Sequence, residues 1–417
     1  MKVSVQPALN DASLDAAQPT NQRQLSVAVS AASDLVDRDV PLNLCLILDR
    51  SGSMGGKPLK IVKQAAWQIV DRMSPVDRLS VVAFDHRAKV LVENQPVEDP
   101  EAIKAAISEL KASGGTAIDE GMKLGISELS KHNQDRISQA FLLTDGENEH
   151  GDNPRCLKLA KLAAEYNITL NGLGFGDRWN QDVLEAIADA GGGTLAYIAE
   201  PSQAVEEFSR LFARMQSVGL TNAHLILSLV PEVRLAELKP VAQVAPETIE
   251  LPVHSEDDGR VAVRLGDLMV DAPRVILANL YVGKMSEGQH AIAQLQVRYD
   301  DPAAGRTEVL SDPIDVTANV VSAFVPSPDP EVNQHILALA KYRQTQIAET
   351  KLKKGDRSGA ATMLQSAAKT ALQMGDDGAA TVLQKSATML QQGETLSDSD
   401  RKKTRIVSKT ILQKPSE

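Results

Sequence analysis

The chain has 417 residues, with 44 Lys+Arg against 55 Asp+Glu and a formal net charge of −11. That length makes two or three domains, each large enough to bury a core. The acidic balance and 3% of aromatic residues argue against a general binder of nucleic acid or anionic membrane, which needs a basic face and rings for stacking.

Residues 1–40 hold two extended pieces, Lys2–Gln6 and Gln24–Val29, separated by a polar, turn-rich stretch. Two short strands cannot form a sheet alone, so they are expected to pair with a later sandwich. From Leu42 the pattern changes. Leu42–Leu48 is a nearly continuous apolar run, the mark of a strand covered on both faces. Apolar strands then alternate with amphipathic helices over residues 41–217. This predicts an α/β unit, a doubly wound and mostly parallel sheet with helices on both faces. Residues 218–324 read as strands between Pro, Gly and Asp turns, an antiparallel β-sandwich with the α/β unit inserted in it or standing beside it. After the Pro-punctuated stretch 325–330, residues 329–393 predict a helical hairpin region. Within it Gly359-Ala-Ala-Thr-Met-Leu-Gln recurs as Gly378-Ala-Ala-Thr-Val-Leu-Gln. Residues 394–417, polar and basic with interspersed Ser and Thr, read as a disordered tail. Thr404 and Thr410 are its phosphorylation candidates, with a phosphothreonine-reading domain of the forkhead-associated kind as partner. No charged start followed by an apolar stretch and no apolar run of about 18 residues occurs. Cys45 and Cys156 show no CxxC or Cys/His spacing. The expectation is therefore a reduced, cytoplasmic chain of bacterial character, with no membrane insertion and no nucleic-acid partner.

The chemistry gathers on three loops. The strand ending at Leu48 runs into Asp49-Arg-Ser51-Gly-Ser53-Met-Gly-Gly, placing one carboxylate and two hydroxyls at alternate positions. Thr116 follows Ser113-Gly-Gly, and Asp145 follows the strand Ala140–Leu143 and Thr144. All three loops belong at the carboxyl edge of an open α/β sheet, where ligand sites form. Oxygen donors without His or Cys suit a hard ion that keeps its waters, which describes Mg²⁺ (or Mn²⁺) better than Zn²⁺. Taken singly, Asp49, Ser51 and Thr116 read better as caps of the following segments, and only the five residues together favour a metal site. Glu147 and Glu149 could rim the site, while Asp77 and Asp85 read as strand ends or turns.

Together, Asp49-x-Ser51-x-Ser53, Gly-Gly-Thr116 and Thr144-Asp145-Gly146 resemble the metal-ion-dependent adhesion site of the von Willebrand factor A domain, over residues 42–215. The resemblance implies that Ser51 and Ser53 bond the metal directly and that Thr116 does so directly or through water. Asp49 and Asp145 would act largely through water, and a partner protein would supply a carboxylate. It also implies a non-enzymatic interaction module. Two other functions are carried beside it: an adaptor for a AAA+ ATPase of the MoxR or chelatase kind, and a Mg²⁺-dependent hydrolase. The hydrolase would need a base for Ser51 and further carboxylates.

Overall fold

The computed structural model describes residues 1–32, 40–176, 178–198, 200, 203–257, 259–270 and 272–409. The chain opens with β1 (Lys2–Leu9), β2 (Ser13–Asp15) and β3 (Thr20–Ala32). The α/β unit follows with β4 (Leu42–Asp49), α1 (Lys57–Arg72), β5 (Arg78–Phe84), β6 (Ala88–Pro96), α2 (Pro100–Ser108) and α3 (Ile118–Ser130). It continues through β7 (Ile137–Thr144), α4 (Asn153–Glu165), β8 (Ile168–Phe175), α5 (Gln181–Ala190), β9 (Gly192–Ile198) and α6 (Ala204–Gln216). Next come β10 (Val218–Leu229), β11 (Val233–Leu235), β12 (Val241–Ala245), β13 (Ile249–Glu250) and β14 (His254–Ser255). β15 (Val261–Met269), β16 (Arg274–Gly283), β17 (Gly288–Asp301), β18 (Arg306–Leu310) and β19 (Ile314–Val321) complete the strands. Four helices end the described chain: α7 (Pro330–Lys353), α8 (Arg357–Gln373), α9 (Asp377–Gln391) and α10 (Asp398–Lys409).

The α/β sheet has the order β6-β5-β4-β7-β8-β9, parallel except for the edge strand β6. Alternation decides which residues face which layer. On central β4, Leu44, Leu46 and Leu48 pack with α1, α2 and α6, while Cys45 and Ile47 pack with α3, α4 and α5. Both faces are covered, so every residue of β4 is buried. Two further sheets enclose a separate apolar core. One runs β1-β3-β16-β12-β13, the other β14-β15-β10-β17-β19-β2. β3 pairs antiparallel with β16 and β2 pairs parallel with β19. The α/β unit therefore leaves the sandwich after β3 and returns to it at β10.

A buried polar seam joins sandwich and α/β unit. Asp267 on β15 accepts hydrogen bonds from Gln139 Nε2 and Thr169 Oγ1, each 2.9 Å. Arg274, also buried, donates to the Asp267 carbonyl at 2.8 Å and to Gln243 Oε1 at 2.7 Å. Gln139 and Thr169 lie near the starts of β7 and β8, so the sandwich sits at the amino end of the parallel sheet. The carboxyl end is left for the site.

The helical region spans from one to the other. α7 lays Val332, Leu339 and Tyr342 on Ala242, Val244, Val275 and Leu277 of the sandwich. α8 and α9 pack by small residues, Ala360, Ala367 and Ala371 against Ala380, Leu383 and Ala387. The last segment corrects the expectation of a disordered tail: residues 398–409 form α10, packed against α7 and α9 and ion-paired to α5. Arg405 pairs with Asp182, with Glu185 at 2.7 Å and with Glu349 at 3.1 Å. Lys409 pairs with Glu185 at 2.6 Å and Asp189 at 2.9 Å. The basic residues that suggested solvation instead neutralise a buried acidic face. Thr404, 4% exposed, donates to the Asp400 carbonyl at 2.7 Å and shares a hydrogen bond with Ser386 Oγ at 2.9 Å. A docked α10 gives a kinase no access to it, which removes Thr404 as a phosphothreonine ligand in this state. Thr410 lies outside the described residues. Among the described residues no helix is long and apolar enough to cross a membrane.

Burial beside Arg405, with Glu185 and Asp182 adding like charge, pushes the Glu349 carboxyl from 4.5 up to about 7. A carboxyl whose pKa is higher folded than unfolded binds more protons in the native state, so stability falls as pH rises from about 4.5 to about 7. Glu349→Gln is expected to flatten that fall by on the order of 1–2 kcal/mol. Urea midpoints of both proteins at half-unit pH steps check it; parallel curves would sink it.

Candidate functional site

Asp49 ends β4 and is fully buried. Its Oδ1 accepts from the Ser51 amide at 2.7 Å and its Oδ2 from Thr144 Oγ1 at 2.5 Å. The loop after it makes a short 3₁₀ turn, Gly52–Met54, whose Met54 side chain is wholly buried and anchors the loop to the core. Ser51 and Ser53 thereby present their hydroxyls together, Oγ to Oγ at 3.0 Å. Ser53 Oγ donates to Asp145 Oδ1 at 2.6 Å. Thr116 is 4% exposed, and a Cβ added at Gly146 would stand 3.2 Å from its Oγ1, so the third loop closes on it tightly. The five sequence-selected residues meet at one sheet edge.

Capping does not account for Ser51 or Thr116, whereas Asp49 does take the Ser51 amide. The 3₁₀ turn at Ser51 and the helix α3 that follows Thr116 and Ala117 have no side-chain cap bond from either residue. The free amide at the start of α3, Ile118 N, is taken at 2.7 Å by Asn148 Oδ1 from the Asp145 loop.

Sequence reasoning missed the residues that brace the loops. Asp85, read as a strand end, is 2% exposed and pairs with Arg50 at 2.5 Å and with His86 at 3.2 Å. Gly52 N donates to Gly114 O at 3.0 Å and Ser113 N to Arg50 O at 2.8 Å, zipping the first two loops together. His150 N donates to Thr116 O at 2.9 Å, which ties in the third. Gly114 has φ +74°, and a Cβ there would stand 2.5 Å from His86 Nδ1, so the position requires glycine. The Gly-Gly spacing signalled this tight turn; nothing local signalled Asn148. Asp77 sits elsewhere, accepting from Leu42 N at 2.8 Å.

The electrostatics are unbalanced. Arg50 is turned to Asp85, and neither Asp49 nor Asp145 forms an ion pair among the described residues. Burial raises the Asp49 carboxyl to about 6 against the hydrogen bonds from Thr144 and Ser51, and burial also raises Asp145. Two carboxylates and three hydroxyls form a donor set that suits a small, hard, hydrated cation. Among the described residues no group of three or more His, Cys, Asp and Glu converges as a softer metal would require.

The site opens into a cleft of about 960 Å³. The loops at Ser51, Thr116 and Asp145 form one wall, with Glu147 and Glu149 on the rim. Trp179 and the start of α5 line the cleft as well, together with Glu349 and Leu352 of α7 and Arg401 and Lys402 of α10.

A doubly wound sheet with one antiparallel edge and oxygen donors on three carboxyl-end loops defines a von Willebrand factor type A domain, and the model of that family matches residues 43–211. Residues 330–414 match the Sll0103-like C-terminal alpha-helical domain. The chain is 61% identical to protein sll0103 of Synechocystis sp. over 417 residues, covering 100% of this chain and 99% of that one. The chain belongs to this Sll0103-like family of von Willebrand factor type A domain proteins, a class of protein–protein interaction modules. Inter-alpha-trypsin inhibitor heavy chain H4 of Bos taurus is 29% identical over 194 residues, which cover 44% of this chain and 21% of that one. Among solved structures, a von Willebrand factor type A protein from Catenulispora acidiphila superposes with a TM-score of 0.83 at 19% identity, covering 98% of this chain and 97% of that one. That likeness establishes a shared fold through sandwich, α/β unit and helices.

Proposed function

We propose that the chain is a divalent-cation-dependent protein-interaction module. Ser51, Ser53 and Thr116 would offer hydroxyl oxygens to Mg²⁺, and Asp49 and Asp145 would hold those hydroxyls and the ion's waters. Mn²⁺ suits the same donors. With few anionic groups bonded to it, the ion keeps positive character and draws a carboxylate from a partner protein. The observation that carries this reading is Asp49: fully buried, without an ion pair among the described residues, and accepting from the Ser51 amide and the Thr144 hydroxyl. A buried carboxylate so placed calls for a cation.

The test has two parts. Calorimetric titration of the full chain with Mg²⁺, and Mn²⁺ titration followed by electron paramagnetic resonance, are expected to show one ion bound per chain. Affinity capture from native lysate is then expected to yield proteins retained in Mg²⁺ and released by EDTA. Absence of Mg²⁺ or Mn²⁺ binding at millimolar concentration overturns the reading. The identity of the captured proteins decides whether a AAA+ ATPase is among the partners.

A further inference from the structure

α10 is seated differently from the helices beside it. The core between α8 and α9 is apolar, with Leu364, Ala367, Leu383 and Ala387 closed to solvent. The buried residues of α10 are Lys402, Thr404, Ser408 and Lys409, all polar, and Val407 reaches that core only in part. Charge and hydrogen bonding fasten the helix instead. Arg405 and Lys409 pair with Asp182, Glu185 and Asp189 of α5 and with Glu349 of α7, and Thr404 meets Ser386 of α9. Desolvation offsets much of the attraction within a buried ion pair, so such a seat holds less firmly than an apolar one of equal size. An element with few buried apolar contacts also opens at a lower free energy than the core around it.

What α10 covers lies in the cleft. Lys402 Nζ stands 4.2 Å over the ring of Trp179, which is 2% exposed. Trp179 lines the same cleft as Ser51, Thr116 and Asp145, and so do Arg401, Lys402 and Arg405 of α10. A further tie between α7 and α5, Lys353 to Asp182 at 3.2 Å, is exposed and therefore weak.

We propose that α10 is a charge-held latch on the cleft. Docked, it covers Trp179 and forms part of the lining. Released, it bares the ring and enlarges the space into which the donor loops open, without moving a loop. Ionic strength shifts the balance, because salt screens both the cations of the released helix and the acidic face it leaves behind. The latch does not depend on a cation at the donor loops, so it stands or falls apart from the metal-site reading.

The test uses the full chain carrying Trp67→Phe, which leaves Trp179 as its single tryptophan, with acrylamide as an uncharged quencher. Between about 0.05 and about 1 M KCl the quenching constant of Trp179 is expected to rise about threefold. Ser386→Cys/Thr404→Cys, at a pair of hydroxyls 2.9 Å apart, allows a disulfide that pins α10 to α9. The oxidised variant is expected to keep the low constant at both salt concentrations, and the reduced one to regain the rise. Arg405→Ala is expected to show the high constant already at low salt. A constant that does not respond to salt overturns the inference. So does a rise that persists in the oxidised variant, since the helices would then part from the α/β unit as one body. If the disulfide does not form, Arg405→Ala decides: a Trp179 as shielded there as in the parent protein sinks the latch.

Discussion

Asp49→Asn is expected to lower divalent-cation affinity about a hundredfold while leaving the cation-free protein as stable as the wild type or slightly more stable. The two effects separate because Asp49 contributes to them with opposite sign. In the cation-free chain its charge is buried against hydroxyl and amide donors, and that burial lifts its pKa to about 6. Asparagine keeps the shape and can still take the Ser51 amide, but carries no charge to desolvate. With a cation present, the same charge is what holds the ion. Thermal melts should show the wild type gaining about 2.7 kcal/mol at a Mg²⁺ concentration a hundredfold above its Kd, and Asp49→Asn gaining about 0.4 kcal/mol at that concentration. A variant that is strongly destabilised without cation, yet still stabilised by Mg²⁺, would show that Asp49 is a structural residue only.

Arg405→Ala is expected to lower stability substantially. The guanidinium serves Asp182 and Glu185 of α5 and Glu349 of α7 at once. Its removal leaves Glu349 without an ion pair among the described residues and Asp182 and Glu185 with only Lys353 and Lys409, and breaking a buried pair in this way costs about 3–5 kcal/mol. The loss falls on the docking of α10, so amides 398–409 should exchange with solvent at least a hundredfold faster, with the α/β core amides unchanged. Arg405→Lys should rescue little, since one ammonium cannot span three carboxylates as the planar fork does. Asp182→Asn combined with Glu185→Gln in the Arg405→Ala background should restore part of the protection. Unaltered exchange in Arg405→Ala would mean that packing alone seats the helix.

The site was legible because its chemistry is local. Asp49, Ser51 and Ser53 lie within five residues, and a strand pattern before each loop fixes which end of the sheet it reaches. The bracing of the site was not. Asn148 reaches Ile118 and Asp85 reaches Arg50 across 30 and 35 positions of sequence, contacts that only the strand order brings about. The sandwich strands were readable from their alternation, as were the helices 329–393 from their repeat. α10 was misread because polar, basic composition describes a solvated tail as well as a helix whose partner is acidic. A finer signal was present. Ser397 caps α10, its Oγ accepting from the Asp400 amide at 3.1 Å and donating to Asp400 Oδ2 at 2.5 Å. Arg401, Arg405 and Lys409 then recur at intervals of four, one face of a helix.

α7 has a consequence for how wide the cleft can be. Its 24 residues make a rod about 36 Å long. The rod is fastened to the sandwich at Val332, Leu339 and Tyr342 and meets the cleft at Ala348, Glu349 and Leu352. The gap facing the metal loops is therefore gauged from the sandwich, at the far end of the molecule, and not by the α/β unit that carries the loops. Inserting or deleting one turn after Tyr342 would shift that wall by about 5.4 Å while leaving every oxygen donor in place. The length of α7, rather than the donor loops, is then expected to set the width of the cleft.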